Sequence, residues 1–282
     1  MLRWTGVLAV VVAVAALPGT AAGSTDHPLS NVLSPTQGSV LPLDTPVVIS
    51  GIAVNGEQGG ITSVEVSLDG GSTWVEAGDS ESWQYVFTPD TPGPVTIVSR
   101  ASTANTVETP TRSVTVQVGG GTPPAVSCPC RFLLPSLPGR PILDEDDPLP
   151  VEVGLRFRPD RDGWVTGLFL FRQPGNTGPD VAHLWTADGT LLATKTGAAL
   201  ATTITFDSPV AVDAGVEYVI SYFTPTGHYA SSIDYFAGAI VQAPFEAVYD
   251  EVGTAGVYRY DGGFPDQTWN ASNYWLGPTF TT

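Results

Sequence analysis

Lysine is almost missing from this sequence. Lys195 is the one lysine among 11 Lys and Arg, set against 28 Asp and Glu, and the formal net charge is −17. Nucleic-acid phosphates and anionic membrane surfaces are both held by clustered positive charge, so both are excluded as partners. Cysteine is scarce as well, with only Cys128 and Cys130 present. One intervening residue is too few for a thioredoxin-type pair, and no His or further Cys lies nearby to complete a metal set. The pair is left as a local disulfide or two inert thiols, and a bridge this short constrains little of the unfolded chain. Sustained helical periodicity with caps is also absent. What is plentiful is Gly (31) and Pro (25), a turn-rich composition that favours many short strands.

The one long apolar run, residues 7–17, falls short of the ~20 residues that span a bilayer. It follows a short basic start and precedes Thr20-Ala21-Ala22-Gly23, so residues 1–23 read as a secretory signal peptide cleaved after Ala22 or Gly23. The expectation is a secreted, extracellular protein without membrane insertion. Residues 24–118 carry short strand-like runs around Val47–Ile49, Ile61–Leu68, Trp83–Phe87, Val95–Ser99 and Val114–Val118, spaced as in an antiparallel sandwich. Residues 119–149 form a Gly/Pro-rich linker and lead-in, in which Asp144-Glu145-Asp146-Asp147 reads as a solvated loop, its contiguous spacing being unlike an EF-hand. Strand rhythm returns over 150–282, with eight candidates from Val151–Phe157 to Tyr274–Phe280 and a hairpin signal at Asp188-Gly189. The fold class is therefore all-β, two sandwiches in series, the second jelly-roll-like.

Ser67-Leu68-Asp69-Gly70-Gly71-Ser72-Thr73-Trp74 resembles the Asp-box of sialidases, which in that family is a structural hairpin lock away from the catalytic centre. A single copy here implies the same local role and no sialidase activity. The wider stretch from Ile49 to Trp74 resembles the immunoglobulin-like dimerisation domain of the sulfite-oxidase family, without that family's molybdenum domain. From Cys128 onward, Val151–Arg158, Gly175–Gly178, His183-Leu184-Trp185, Gly227-His228-Tyr229, Gly256–Tyr260 and Trp269–Trp275 occur in order. This set is similar to an uncharacterised family of secreted bacterial β-sandwich modules, domain of unknown function four thousand and eighty-two. That resemblance implies a sandwich fold and brings no established activity or catalytic residues.

Catalytic motifs are thin: there is no His-Glu-x-x-His and no Gly-x-Ser-x-Gly elbow. His183 and His228 read as structural hydrogen-bonding groups, with a metal role beside Asp234 as the alternative. Asp213, Asp234 and Asp261 are candidates for a structural calcium ion, the only cofactor considered. Asn270-Ala271-Ser272 matches a glycosylation acceptor but reads as serving the fold. The aromatic density near the C-terminus leads to a non-enzymatic reading, a carbohydrate-binding module. Its candidate stacking residues are Trp269, Tyr274 and Trp275, with Tyr229 and Tyr258 as lesser ones. A polysaccharide or a cell-surface protein is the expected partner. The rival is a structural or protein-interaction module whose aromatics fill the core, and a glycan-acting hydrolase ranks below both.

Overall fold

The computed structural model describes residues 28–55, 60–110, 112–122, 125–134, 140–250 and 253–282. The expected signal peptide lies outside them, as do parts of the linker. Every regular element among the described residues is a strand. The first group comprises β1 (Leu29–Ser34), β2 (Val40–Leu41), β3 (Val47–Val54), β4 (Ser63–Ser67), β5 (Val75–Gly78), β6 (Ser82–Phe87), β7 (Gly93–Ser102) and β8 (Val114–Val118). They form a three-stranded sheet, β1-β3-β6, and a five-stranded sheet, β2-β8-β7-β4-β5. Val47, Ile49, Val64, Val66, Trp83, Ile97 and Val116 fill the core between them.

The second group begins with β9 (Cys130–Arg131), β10 (Leu143–Asp146), β11 (Val151–Pro159), β12 (Gly163–Leu170), β13 (Val181–Thr186), β14 (Leu191–Thr196) and β15 (Thr203–Val212). It continues with β16 (Tyr218–Thr224), β17 (His228–Ser231), β18 (Ile240–Gln242), β19 (Phe245–Ala247), β20 (Gly256–Tyr260) and β21 (Leu276–Thr281). One sheet runs β14-β13-β16-β11-β19-β18, with β20 also on β11; the other runs β15-β12-β21-β9. Val153, Leu155, Phe157, Leu168, Ile220, Phe245 and Phe280 pack between them. All-β sandwich architecture is thus what the sequence composition and strand rhythm anticipate. Cys128 and Cys130 are joined as a disulfide.

One expectation about the lead-in is corrected. The acidic run 144–147 is not a loop: its first three residues lie in β10, which pairs antiparallel with β17 in the register Glu145↔Tyr229. Charge hides such a strand from periodicity, since its alternating faces meet solvent on one side and a polar cleft on the other.

The Asp-box segment is a hairpin lock. The Asp69 carboxylate accepts hydrogen bonds from the Thr73 N–H (2.8 Å), the Ser72 N–H (3.0 Å), the Ser67 hydroxyl (2.7 Å) and the Thr73 hydroxyl (2.7 Å). Gly70 and Gly71 supply the positive φ of the turn, and the Arg100 guanidinium lies 4.2 Å from the Trp74 ring centroid. The Thr73 N–H first, then the Ser67 hydroxyl, hold the Asp69 carboxyl down at about 2. Because its folded value lies below the unfolded one of about 3.9, its stabilising contribution is present above the unfolded value and is lost as pH falls through about 2. Asp69→Ala is expected to speed hydrogen exchange at the Ser72 and Thr73 amides and to abolish that acid-range step. Unchanged protection of both amides would contradict the lock.

The two groups of strands touch. The Val48 N–H donates to Ala239 O (2.8 Å), the Ala239 N–H to Pro46 O (2.7 Å), and the Ser34 hydroxyl to Val241 O (2.9 Å). Val241 packs in the first core and Val48 against the second. Each core is otherwise closed by its own strands, so fragments 28–118 and 128–282 are expected to give native near-UV circular dichroism separately, each melting below the whole chain. Loss of the signal from either fragment alone would refute independence.

Candidate functional site

Period-two side-chain alternation builds the site from three places. On β20, Tyr258 and Tyr260 share a face. On β17, Tyr229 and Ser231 share a face, and the β10 register sets Glu145 opposite Tyr229. The segment 269–274 closes the end. With Asp147 just beyond β10, these residues enclose a cleft of about 260 Å³, near the lower end of small-molecule sites.

The closing segment is held by its backbone. The Ser272 N–H donates to Trp269 O (3.0 Å), Asn270 O accepts from Asp234 N–H (2.7 Å), and Ala271 O accepts from Tyr235 and Phe236 N–H (2.9 Å each). Asn270 (φ 44°) and Ala271 (φ 47°) are left-handed, so the tripeptide serves as a tight turn. Gly256 at the start of β20 makes the fit possible, because a Cβ there would lie 1.7 Å from Ser272 O.

Tyr229 and Tyr274 meet edge to face at 5.7 Å, as do Tyr258 and Tyr260. Tyr260 donates to Asp147 Oδ2 (2.7 Å), and that bond pushes its phenol up to about 12. Burial first, then the charges of Asp147 and Glu145, push Tyr229 up further. Tyr274 is raised chiefly by burial and next by its tyrosine neighbours. All three phenols therefore stay neutral at physiological pH. Ser231 donates to Glu145 Oε1, and Glu145 Oε2 has no hydrogen-bond partner among the described residues.

Of the five aromatic residues singled out in the sequence, the cleft gathers Tyr229, Tyr258, Trp269 and Tyr274, and it adds Tyr260. Trp269 is 53% exposed at the lip, whereas Tyr274 is 5% exposed and forms the floor. Trp275 is a correction: it is buried away from the cleft, its indole N–H donating to the Ser232 hydroxyl (2.9 Å). Strand alternation fails there because Trp275 is left-handed (φ 54°) and β21 starts only at Leu276. Both neighbouring rings therefore turn inward.

The three calcium candidates do not converge, a second correction. Among the described residues no three His, Cys, Asp or Glu side chains are grouped to hold a metal ion. Asp213, Asp234 and Asp261 sit on separate turns that use their backbones. Asp213 N–H donates to the Tyr218 hydroxyl (3.1 Å), and Asp261 N–H donates to Pro150 O (3.0 Å). Asp234 and Asp261 adopt positive φ, which Asp tolerates better than most residues. His183 and His228 are likewise apart. His183 Nδ1 lies 2.9 Å from Glu152 Oε1, and His228 Nε2 lies 3.3 Å from Asp146 Oδ1.

Sequence reasoning missed Glu145 and Asp147 as site residues, and the buried Glu152. Glu152 also accepts from the Ser221 hydroxyl (2.5 Å), whose oxygen in turn accepts from the Trp185 indole (2.8 Å). Burial pushes the Glu152 carboxyl up despite these partners. A lone Glu in an apolar strand carries no sequence signal of this network. Tyr260, by contrast, was legible two residues after Tyr258.

The molecule is thus a two-sandwich all-β protein with an aromatic, acidic cleft on its second sandwich. Residues 138–276 match the model of a domain of unknown function (DUF4082), and residues 27–85 match the Mo-co oxidoreductase dimerisation domain. Both resemblances read from the sequence are borne out, the second with its immunoglobulin-like fold. No curated protein matches the chain. Among solved structures, an engineered protein is 18% identical over 33% of this chain with a TM-score of 0.27, and the match spans 20% of that protein's length. The fibronectin(III)-like modules of Clostridium thermocellum CbhA are 15% identical, covering 32% of this chain and 94% of theirs (TM-score 0.26). A SusE-like protein is 9% identical over 84% of this chain and 96% of its own (TM-score 0.21). At such TM-scores none of the three bears on function.

Proposed function

We propose that the chain is an extracellular, non-catalytic module whose second sandwich binds a glycan. The observation that carries this reading is the convergence of Tyr229, Tyr258, Tyr260, Tyr274 and half-exposed Trp269 on one cleft. A pyranose offers an apolar C–H face, and an exposed indole covers it. Burying ~50 Å² per stack is worth about 1–1.5 kcal/mol. Two stacks with a few hydrogen bonds, less the association cost, suit a Kd on the order of 0.1–1 mM. Repetition of the target along a polymer raises effective attachment.

The strip of exposed Leu29, Ile52, Val54 and Val86 on the β1-β3-β6 sheet favours a second, compatible reading, in which the first sandwich contacts a protein partner. The full chain, titrated with soluble polysaccharides while tryptophan fluorescence is followed, tests the principal reading. A saturable change with at least one glycan is expected. No change with any of a broad panel would overturn it.

A further inference from the structure

We propose that the cleft selects a glycan carrying free amino groups, so that a protonated primary amine sits between the carboxylates and the tyrosine rings. This rests on the glycan reading above. The lining holds two carboxylates, Glu145 and Asp147, and no Lys, Arg or His. Each carboxylate receives one hydroxyl, from Ser231 and Tyr260 respectively, and Asp147 Oδ1 also takes a weak bond from the Leu149 N–H (3.3 Å). Glu145 Oε2 is left for a ligand. A primary ammonium has three donors and no acceptor, which fits an edge made of carboxylate and phenol oxygens.

The rings reinforce the choice. Tyr229, Tyr258, Tyr260 and Tyr274 present electron-rich aromatic surface, which attracts cations. A sugar with only hydroxyls stacks on Trp269 but leaves the negative edge without a counter-charge. N-acylation removes the charge from an amino sugar, and a polyanionic glycan is repelled by an acidic cleft on a chain of net charge −17. A lysine side chain carries the same ammonium, yet it has no flat face for the open Trp269 lip. The combination of stacking platform and anionic edge belongs to an amino sugar.

The test titrates the full chain with three probes at low salt and slightly acid pH: a glucosamine oligomer with free amines, the same oligomer N-acetylated, and a lysine peptide of equal charge. The free-amine oligomer is expected to bind about tenfold more tightly than either comparator, the scale of one cation–π contact plus one partly exposed ion pair. Raising salt toward 1 M should shrink that ratio towards unity, as should Glu145→Gln. Equal affinity for the two oligomers overturns the inference while leaving the glycan reading intact. Equal binding of the lysine peptide also overturns it, assigning the ammonium to a protein partner. Failure of both oligomers also overturns the inference, and the broad polysaccharide panel then decides the glycan reading separately. The salt series on the unmodified chain keeps the test decisive if the Gln variant does not fold.

Discussion

Truncating Trp275 to alanine is expected to cost about 3–5 kcal/mol of stability, the range for a fully buried large aromatic. The side chain is 8% exposed. Its ring packs edge to face on Tyr235 at 5.7 Å and obliquely on Phe171 at 6.3 Å. Its indole N–H satisfies the Ser232 hydroxyl, whose own proton goes to Pro141 O (2.7 Å). Its backbone N–H donates to Asn273 Oδ1 (2.9 Å), and its carbonyl accepts from Phe171 (2.8 Å). Removing the indole opens a cavity and takes away the donor to the buried Ser232 oxygen, which keeps its own bond to Pro141 O, against a total stability of ~5–15 kcal/mol for a typical domain. A fall in melting temperature on the order of 10 °C or more follows, read by calorimetry. A shift within a degree or two of the unmodified chain would show that the ring contributes little to the core.

Trp269 and Trp275 are indistinguishable in the sequence as members of one aromatic cluster, and the structure gives them opposite fates. Separating them required the backbone: the left-handed turn at Asn270 and Ala271 lifts Trp269 out, and positive φ at Trp275 turns the second ring in. Asn270 is a residue type that tolerates positive φ, but Ala271 and Trp275 are not the residues expected there, so the opposite fates of the two rings are not readable from residue type. The strands were legible wherever alternation met turn residues; Leu191–Thr196 and Val114–Val118 fall where the pattern puts them. β10 was not legible, because a strand made of Leu-Asp-Glu-Asp lacks the apolar face by which strands are recognised. That loss mattered most, for β10 brings the carboxylate Glu145 to the cleft and leads into Asp147. The aromatic half of the site could be read, while its acidic half depended on a long-range pairing with β17 that local sequence does not specify.

Trp269→Ala is expected to leave folding intact and to remove binding. The indole is half exposed, and beyond packing on solvent-facing edges it fills no core position, so its loss should move the melting temperature by little. The residue's carbonyl still accepts from Ser272, and alanine preserves that bond. Its contribution to a sugar stack, about 1–1.5 kcal/mol, corresponds to roughly tenfold in affinity. For a site in the 0.1–1 mM range, that carries the variant beyond ordinary detection. The most direct measurement is isothermal titration of the full chain and of Trp269→Ala with the glycan that the polysaccharide panel selects, melting temperatures being recorded on the same samples. The account predicts equal melting and at least about tenfold weaker binding by the variant. Equal affinity in two equally folded proteins would contradict it.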